Sequence, residues 1–383
     1  MISTRPAPPR LAVLAVLGLF FFSHALAQEP TVYPLVGSHS IPDALRRQLD
    51  AHRDLIPPGI NTDRIASTGM DPAVFIEGIV QVADGVRQGE LPGAVIHVGS
   101  LFGDGMPIPV GYKQTDPQLW PASWDTKYHL GTLTAQLTLL PARLRLIQAG
   151  EWDRSSGTDR EESGAELAPC LGPAAQRLVA ESLRVSERLG EPVLDHAFRE
   201  WLEPFGLKNS AIELPANWRS TAAPGRYTGE KMNWGDPSDD AKVRFGPSTA
   251  HAGLYSTADD LDLYAKILIG TYHGLAPDFL TSETMRRESA PGHAFGWEAD
   301  GWGPGTFGYL AENGCGMWIA PEDGNYLIIL SNLDHPEGRC AADAPSLATL
   351  PALLATGRTR QTSAHDVLSV MTGGIEEGGE SAP

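Results

Sequence analysis

The chain has 383 residues, of which 42% are hydrophobic, and its 47 acidic and 29 basic side chains give a formal net charge of −18. The apolar fraction and the nine tryptophans exclude a mostly disordered chain. Because a strongly negative protein repels a polyanion, we expect no nucleic-acid partner. At roughly 100–200 residues per domain, the length allows two or three domains or one large two-lobed unit.

The N-terminal residues 1–27 have the pattern of a secretory signal peptide. Arg5 and Arg10 precede an apolar run over 11–22, and the sequence Ala-Leu-Ala at 25–27 supplies the small residues that a signal peptidase recognises. The apolar run is shorter than the roughly 20 residues that span a bilayer, which disfavours an uncleaved membrane anchor. We therefore expect cleavage, export to the periplasm or the extracellular space, and no membrane span afterwards.

The mature chain alternates between helical and strand patterns. Residues 28–69 are rich in proline and predict an irregular N-terminal segment with one helical patch over 43–54. Apolar residues recur at helical spacing in five later segments, namely 71–88, 132–148, 178–189, 193–202 and 256–270. Strands are predicted at 94–98, 317–320 and 326–331, the last two as a hairpin across the turn at 321–324.

This order of elements predicts an α+β fold with an antiparallel sheet that is built from both ends of the chain. The segment 151–169 is polar and predicts an exposed loop, and 373–383 is rich in Gly and Glu and predicts a disordered tail.

The three cysteines are Cys170, Cys315 and Cys340. An odd number leaves one thiol unpaired, and Cys315 and Cys340 are the pair most easily joined because the predicted hairpin lies between them. The sequence leaves open whether this disulfide forms, since it does not give the distance between the two residues. Scattered cysteines without a nearby pair of histidines disfavour zinc, and we expect neither a metal nor a cofactor.

Six segments in order resemble a known family. The most specific is His-Ala-Gly-Leu-Tyr-Ser-Thr-Ala-Asp-Asp-Leu at 251–261. The other five are LPGAV at 91–95, YHLGTLT at 128–134, GEP at 190–192, EPFGL at 203–207, and FG at 307–308 followed by WIAPE at 318–322. Together they resemble the serine β-lactamase-like family, which includes class C β-lactamases, DD-peptidases (penicillin-binding proteins) and related esterases.

The resemblance implies a β-lactamase/transpeptidase-like fold over 70–372. In that fold an α/β lobe with a five-stranded antiparallel sheet packs against an all-helical lobe, and the active site lies between them. The family's chemistry is acyl transfer to a serine. A lysine one helical turn later, in the motif S-x-x-K, activates the hydroxyl. A tyrosine in Y-x-N and a strand motif K-T-G or H-T-G complete the site.

The chain departs from the family at all three catalytic motifs, so no catalytic set is intact. The corresponding positions are Thr132 and Ala135 for S-x-x-K, Pro173 and Ala175 for Y-x-N, and Tyr309 and Ala311 for H-T-G.

Thr132 retains a hydroxyl and is a conceivable nucleophile, but general-base assistance alone is worth about 10²–10⁴-fold in rate and the base is missing. Threonine at this position also fits the start or cap of a helix. Tyr309 is a possible proton donor, although a tyrosine on a strand is usually a core residue. We interpret His251 as a structural hydrogen-bonding residue.

We therefore expect an exported, catalytically inactive β-lactamase-related protein with a binding or scaffolding role at the cell envelope. Its expected partner is peptidoglycan or an envelope protein, and the cleft between the lobes is a candidate for the ligand. The alternative is a working serine-hydrolase-type enzyme, with esterase, β-lactamase or DD-peptidase activity, that uses non-standard residues.

Overall fold

The computed structural model describes residues 34–103, 105–152, 173–234, 246, 249–276, 278–289 and 297–359. The predicted signal peptide at 1–27, the predicted tail at 373–383, Cys170 and nearly all of the predicted loop at 151–169 lie outside these ranges. No helix within the described part of the chain has both the length and the apolar character needed to cross a membrane.

The centre of the molecule is an antiparallel sheet with the strand order β3-β2-β1-β11-β10-β9-β8. Its strands are β1 (Gly93–Ser100), β2 (Ile108–Gln114), β3 (Trp120–Pro121), β8 (Glu298–Ala299), β9 (Phe307–Leu310), β10 (Gly316–Ala320) and β11 (Asn325–Ser331). Strand β1 pairs with β11 from Ala94↔Ser331 to Ser100↔Asn325, which confirms a sheet built from both chain ends. The sheet has seven strands, and not five, because the two-residue strands β3 and β8 extend its edges.

Two short pairs lie outside this sheet. They are β4 (Tyr128–His129) with β7 (Tyr255–Ser256), and β5 (Tyr227–Thr228) with β6 (Lys231–Met232).

The helices, in chain order, are α1 (Asp43–Ala51), α2 (Thr62–Ser67), α3 (Pro72–Gln88), α4 (Leu133–Leu137), α5 (Leu139–Gln148), α6 (Pro173–Leu189), α7 (Val193–Ala197), α8 (Ala258–Tyr272), α9 (Ser282–Ser289), α10 (Pro345–Ala348) and α11 (Leu350–Ala355). A π-helical turn covers Phe198–Leu202, and 3₁₀-helices cover Ala216–Thr221 and Ala341–Asp343.

The predicted irregular segment at 28–69 contains a second helix, α2, beside the predicted α1. The side chain of Asn61 caps α2 by accepting hydrogen bonds from the backbone N–H groups of Asp63 and Arg64 at 3.0 and 3.1 Å. The helix has only six residues, so the apolar periodicity that reveals longer helices is absent.

The helix predicted over 132–148 is interrupted at Thr138, whose backbone angles (φ −126°, ψ −67°) are not helical. Pro141 lies four residues after Leu137 and has no N–H to donate to the Leu137 carbonyl. The indole Nε1–H of Trp201 donates to that carbonyl instead, at 2.9 Å. The segment predicted as a helix over 193–202 begins as α7 and ends in the π-helical turn that carries Trp201.

The two faces of the sheet bury two separate hydrophobic cores. Alternate residues of β1, including Ile96 and Val98, pack with Phe75 and Ile79 of α3 on one face. Val95 belongs to the core on the opposite face, together with α8 and the helices between β4 and α7. Both β1 and β11 are buried along their whole length because each face of the sheet is covered.

Close packing on one sheet face depends on glycine at Gly308 in β9. A Cβ at this position would overlap the indole ring of Trp318, which lies beside it in β10. Gly270 in α8 is different, since the nearest atom to its added Cβ is 3.7 Å away.

One half-buried carboxylate connects α8 to the sheet. Asp262 accepts hydrogen bonds from His97 Nε2 at 2.8 Å and from the Tyr326 hydroxyl, and its other oxygen lies 2.8 Å from Lys266 Nζ. Burial raises the pKa of Asp262, but the contacts with His97, Lys266 and Tyr326 outweigh it and lower the pKa to about 2.

Candidate functional site

The most specific of the six sequence segments, 251–261, lies beside the segment 128–134 in the structure. Strand β4 pairs with β7, and the backbone N–H of Leu130 donates to the Leu254 carbonyl at 2.8 Å. The backbone N–H of Leu254 in turn donates to Thr134 Oγ1 at 3.3 Å. The segment 251–261 therefore supports the start of α4, where the family places its nucleophile.

The segment 256–260 also forms the capped start of α8, which the sequence predicts as a helix over 256–270. Thr257 is the N-cap, and its hydroxyl oxygen accepts a hydrogen bond from the backbone N–H of Asp260 at 3.3 Å. Asp260 accepts from the Ser210 hydroxyl at 2.7 Å and from the backbone N–H of Asn209 at 2.8 Å. Burial raises the pKa of Asp260, and these hydrogen bonds act in the opposite direction. These contacts have a structural role, since they fasten 209–210 to α8.

Thr132 occupies the position before α4 and is partly exposed. Its hydroxyl makes no capping hydrogen bond, so the residue begins the helix without capping it. The hydroxyl instead accepts a hydrogen bond from the phenol of Tyr309, with the two oxygens 3.0 Å apart. The structure thus brings together two of the substituted positions, one at α4 and one on β9.

Small apolar side chains occupy the positions that the resemblance assigns to the activating lysine and to the strand motif. Ala135 is 2% exposed and Ala311 is fully buried, and both belong to the hydrophobic core. Neither residue has a group that can accept or donate a proton. Pro173 and Ala175 lie in the first turn of α6.

The phenols of Tyr309 and Tyr128 near the start of α4 both have raised pKa values. Burial raises the pKa of Tyr309, and the carboxylates of Glu312 and Glu298 act in the same direction, while the hydrogen bond with Thr132 opposes them. Burial also raises the pKa of Tyr128, which is fully buried, far above its usual value. A phenol with a raised pKa keeps its proton at neutral pH and cannot act as a base there.

Lys127 contacts the 3₁₀-helix Ala216–Thr221, and His251 is a buried residue. The ammonium of Lys127 lies 4.8 Å from the centroid of the Trp218 ring and donates to Thr221 Oγ1 at 3.4 Å. His251 is 3% exposed. The 3₁₀-helix Ala216–Thr221 therefore holds the lysine that is closest in sequence to Thr132.

Asn313 positions the loop before Thr132, and sequence reasoning missed it. Its amide Nδ2 donates to the His129 carbonyl at 2.6 Å, and its Oδ1 accepts from the backbone N–H of Cys315 at 3.3 Å. Gly131 has a φ of +54°, and a Cβ there would come within 2.8 Å of Asn313 Oδ1. Glycine at 131 is thus required both by its backbone angle and by this contact.

The candidate disulfide does not form, since Cys315 and Cys340 are both free thiols. Cys315 is fully buried and its Sγ donates to the Ser331 carbonyl at 3.2 Å, and burial raises its pKa to about 12. Cys340 Sγ lies 3.3 Å from Asp343 Oδ2 at the start of a 3₁₀-helix.

In the described ranges no group of three His, Cys, Asp or Glu side chains is arranged to hold a metal ion.

Known proteins resemble this chain in part of its sequence and in its fold. A model of the β-lactamase family matches residues 174–350. None of the curated proteins matches the chain.

Several solved structures share the fold. The LovD6 mutant of simvastatin synthase from Aspergillus terreus is 14% identical, with a TM-score of 0.52 over 76% of this chain and 98% of that one. The D-alanine carboxypeptidase AmpC from Burkholderia cenocepacia is 13% identical, with a TM-score of 0.51 over 73% and 98%. A β-lactamase from Sulfitobacter sp. EE-36 is 16% identical, with a TM-score of 0.52 over 73% and 99%. The chain therefore has an α+β, β-lactamase/transpeptidase-like fold, and its residues 174–350 are similar to the β-lactamase family.

Proposed function

We propose that this protein is an exported, catalytically inactive member of the family with a binding or scaffolding role at the cell envelope. The observation that carries the proposal is the state of Thr132. Its hydroxyl accepts a hydrogen bond from Tyr309, and the position of the activating lysine holds the buried methyl group of Ala135.

An alcohol is a weak nucleophile unless a base lies within hydrogen-bond reach, about 2.6–3.2 Å. The group at that distance from Thr132 is a phenol that donates its proton to the alcohol oxygen, and burial favours its protonated form. Without a base the loss in rate is about 10²–10⁴-fold, and the β-methyl group of threonine adds steric hindrance. The scaffold around the site is intact, which supports retention of the fold for a purpose other than acyl transfer.

The contact between Thr132 and Tyr309 also favours a second candidate, a hydrolase that works with non-standard residues. In that enzyme Tyr309, 3.0 Å from the Thr132 oxygen, would carry the proton during attack. The predicted activity is that of an esterase, a β-lactamase or a DD-peptidase.

Covalent labelling separates the two candidates. Purified protein beginning at residue 28 is incubated with a fluorescent penicillin and, separately, with a panel of nitrophenyl esters, beside an active class C β-lactamase as positive control. We expect neither a labelled band nor ester hydrolysis above the uncatalysed rate. Labelling that disappears in Thr132→Ala, and that weakens in Tyr309→Phe, would establish the enzyme and refute the inactive protein.

The envelope role has its own test. We expect the mature protein to be found in the exported fraction with Gln28 as its first residue, and to sediment with purified peptidoglycan. Thr132→Ala should sediment to the same extent as the wild type, because non-covalent binding does not need the hydroxyl as a nucleophile. Failure to sediment would remove peptidoglycan as the partner and leave an envelope protein, which in-cell crosslinking would then have to capture.

A further inference from the structure

A small cavity lies beside the β4–β7 pair. Its volume is about 10 Å³, which is room for one water-sized particle. The rings of His129 and Tyr255, with centroids 5.1 Å apart, form one side. The polar lining comes from Asn233, Asn332 and Asp334.

Asn332 presents an oxygen that has no hydrogen-bond partner among the described residues. The side chain is 4% exposed, and its Nδ2 donates to the carbonyls of Lys113 and Pro224 at 2.9 and 2.8 Å. Because both amide hydrogens are used, the orientation of the amide is determined and Oδ1 is the atom left over.

Asn233 is the second such residue. It is 7% exposed, and within the described ranges its Oδ1 also lacks a hydrogen-bond partner. Burial of an unsatisfied amide oxygen costs about 1–3 kcal/mol, so two of them in the wall of one cavity indicate a missing ligand.

Asp334 adds a carboxylate to the same cavity. A Cβ built on Gly225 would lie 3.1 Å from Asp334 Oδ2 and 3.8 Å from the Cβ of Asn233, so the two side chains flank one point of the backbone. The carboxylate accepts hydrogen bonds from the backbone N–H groups of Arg226 and of Asp334 itself. It forms no salt bridge with any residue that the structure describes. Burial raises its pKa, and the positive charge of Arg226 acts against that shift.

A water molecule could donate its two hydrogens to the two amide oxygens, but it would leave the buried carboxylate of Asp334 without an ion-pair partner among the described residues. A cation satisfies all three oxygens at once. Calcium takes 6–8 oxygen ligands, and magnesium keeps several of its own waters, so neither suits a one-particle cavity with a single negative charge. We propose that this cavity binds a sodium ion through Asn233 Oδ1, Asn332 Oδ1 and the Asp334 carboxylate.

The site joins chain segments that are distant in sequence. Asn332 follows β11, Asn233 follows β6, and the cavity wall at 223–225 pairs with Lys127 just before β4. A bound ion that is absent from the unfolded chain stabilises the fold in proportion to the logarithm of its concentration. Sodium thus holds the segment 223–234 against the sheet, beside the loop that carries Thr132.

Thermal unfolding in sodium chloride and in choline chloride at equal ionic strength tests the site. We expect the wild type to melt higher in sodium chloride by on the order of 2 °C. Asp334→Asn should abolish the difference, and Asn233→Asp should increase it because a carboxylate replaces an amide oxygen as ligand. Asp54→Asn, which changes an exposed carboxylate elsewhere, should retain the wild-type difference.

A rotated Asn233 amide beside a water molecule gives the opposite pattern. Its N–H would then serve as donor, so Asn233→Asp would lose stability in both salts and the wild type would show no preference for sodium. Either result would overturn the proposal. If the variants fail to fold, wild-type crystals soaked in thallium acetate give a second answer. An anomalous peak between the three oxygens supports the site, and its absence refutes it.

Discussion

The hydrogen bond from Trp201 to the Leu137 carbonyl makes a measurable contribution to stability, and Trp201→Phe removes it. Both residues are fully buried, and Pro141 has no N–H with which to replace the lost donor. A buried carbonyl without a partner costs about 1–3 kcal/mol, in addition to the cost of the smaller ring. The structure therefore predicts that Trp201→Phe, although conservative, lowers the free energy of unfolding substantially.

Trp302→Phe is the matched control for the smaller ring. Trp302 is 1% exposed, and its indole nitrogen has no hydrogen-bond partner in the described part of the chain. This substitution removes a similar volume but no hydrogen bond. We expect the free energy of unfolding in urea to fall about 1–3 kcal/mol further for Trp201→Phe than for Trp302→Phe.

A double-mutant cycle with Pro141→Ala tests the physical reason. An alanine at 141 supplies a backbone N–H four residues after Leu137, which can donate to the orphaned carbonyl. We expect Trp201→Phe to cost about 1 kcal/mol less in the Pro141→Ala background than in the wild type. Equal costs in the two backgrounds, or equal costs for the two tryptophans, would refute the reasoning.

Three further predictions concern packing, pH and thiol reactivity. Gly308→Ala should lower the free energy of unfolding in urea by about 1–3 kcal/mol because the added Cβ overlaps an indole ring. Gly270→Ala, which has open space around it in a helix, should be neutral or stabilising by about 0.5–1 kcal/mol. Equal effects of the two substitutions would contradict the packing argument. The folded-state pKa of Asp262 is lowered to about 2, so its contribution of up to about 2 kcal/mol to the free energy of unfolding is present above pH 4 and is lost as the pH falls towards 2. The free energy of unfolding of Asp262→Asn should therefore fall less over that range than that of the wild type. The same pH dependence in both proteins would count against the network. Iodoacetamide at pH 8 should label Cys340 and not the buried Cys315 in folded protein, as measured by peptide mass spectrometry. Protection of both thiols would indicate a disulfide between them.

The parts of the fold that sequence predicted well are those whose signals are local. The helix α3 is framed by Asp71 and Gly89, and the β10–β11 hairpin has its turn residues between two apolar runs. The interruption at Thr138 was missed because it depends on Trp201, which is distant in the chain and reaches the same carbonyl only in the folded state.

In the candidate site, too, some features can be predicted from local sequence and others appear only in the folded chain. The prediction that the nucleophile and base are replaced comes from the sequence alone, because the resemblance places the S-x-x-K motif at Thr132 to Ala135. The contact between Thr132 and Tyr309 joins residues 177 positions apart, and no local pattern predicts it. The unpaired amide oxygens of Asn233 and Asn332 are likewise visible only when the backbone has placed them on one cavity.

The pairing of β1 with β11 has a consequence for how the protein is made. Ser331 Oγ donates to the Gly93 carbonyl across 238 residues, at 2.8 Å. During synthesis β1 can pair with β2 early, but its other edge has no partner until β11 has been produced. Folding is therefore dominated by a contact of high sequence separation and should be slow. The nascent chain must carry an apolar, half-paired strand for most of its synthesis, which makes it a natural client for chaperones.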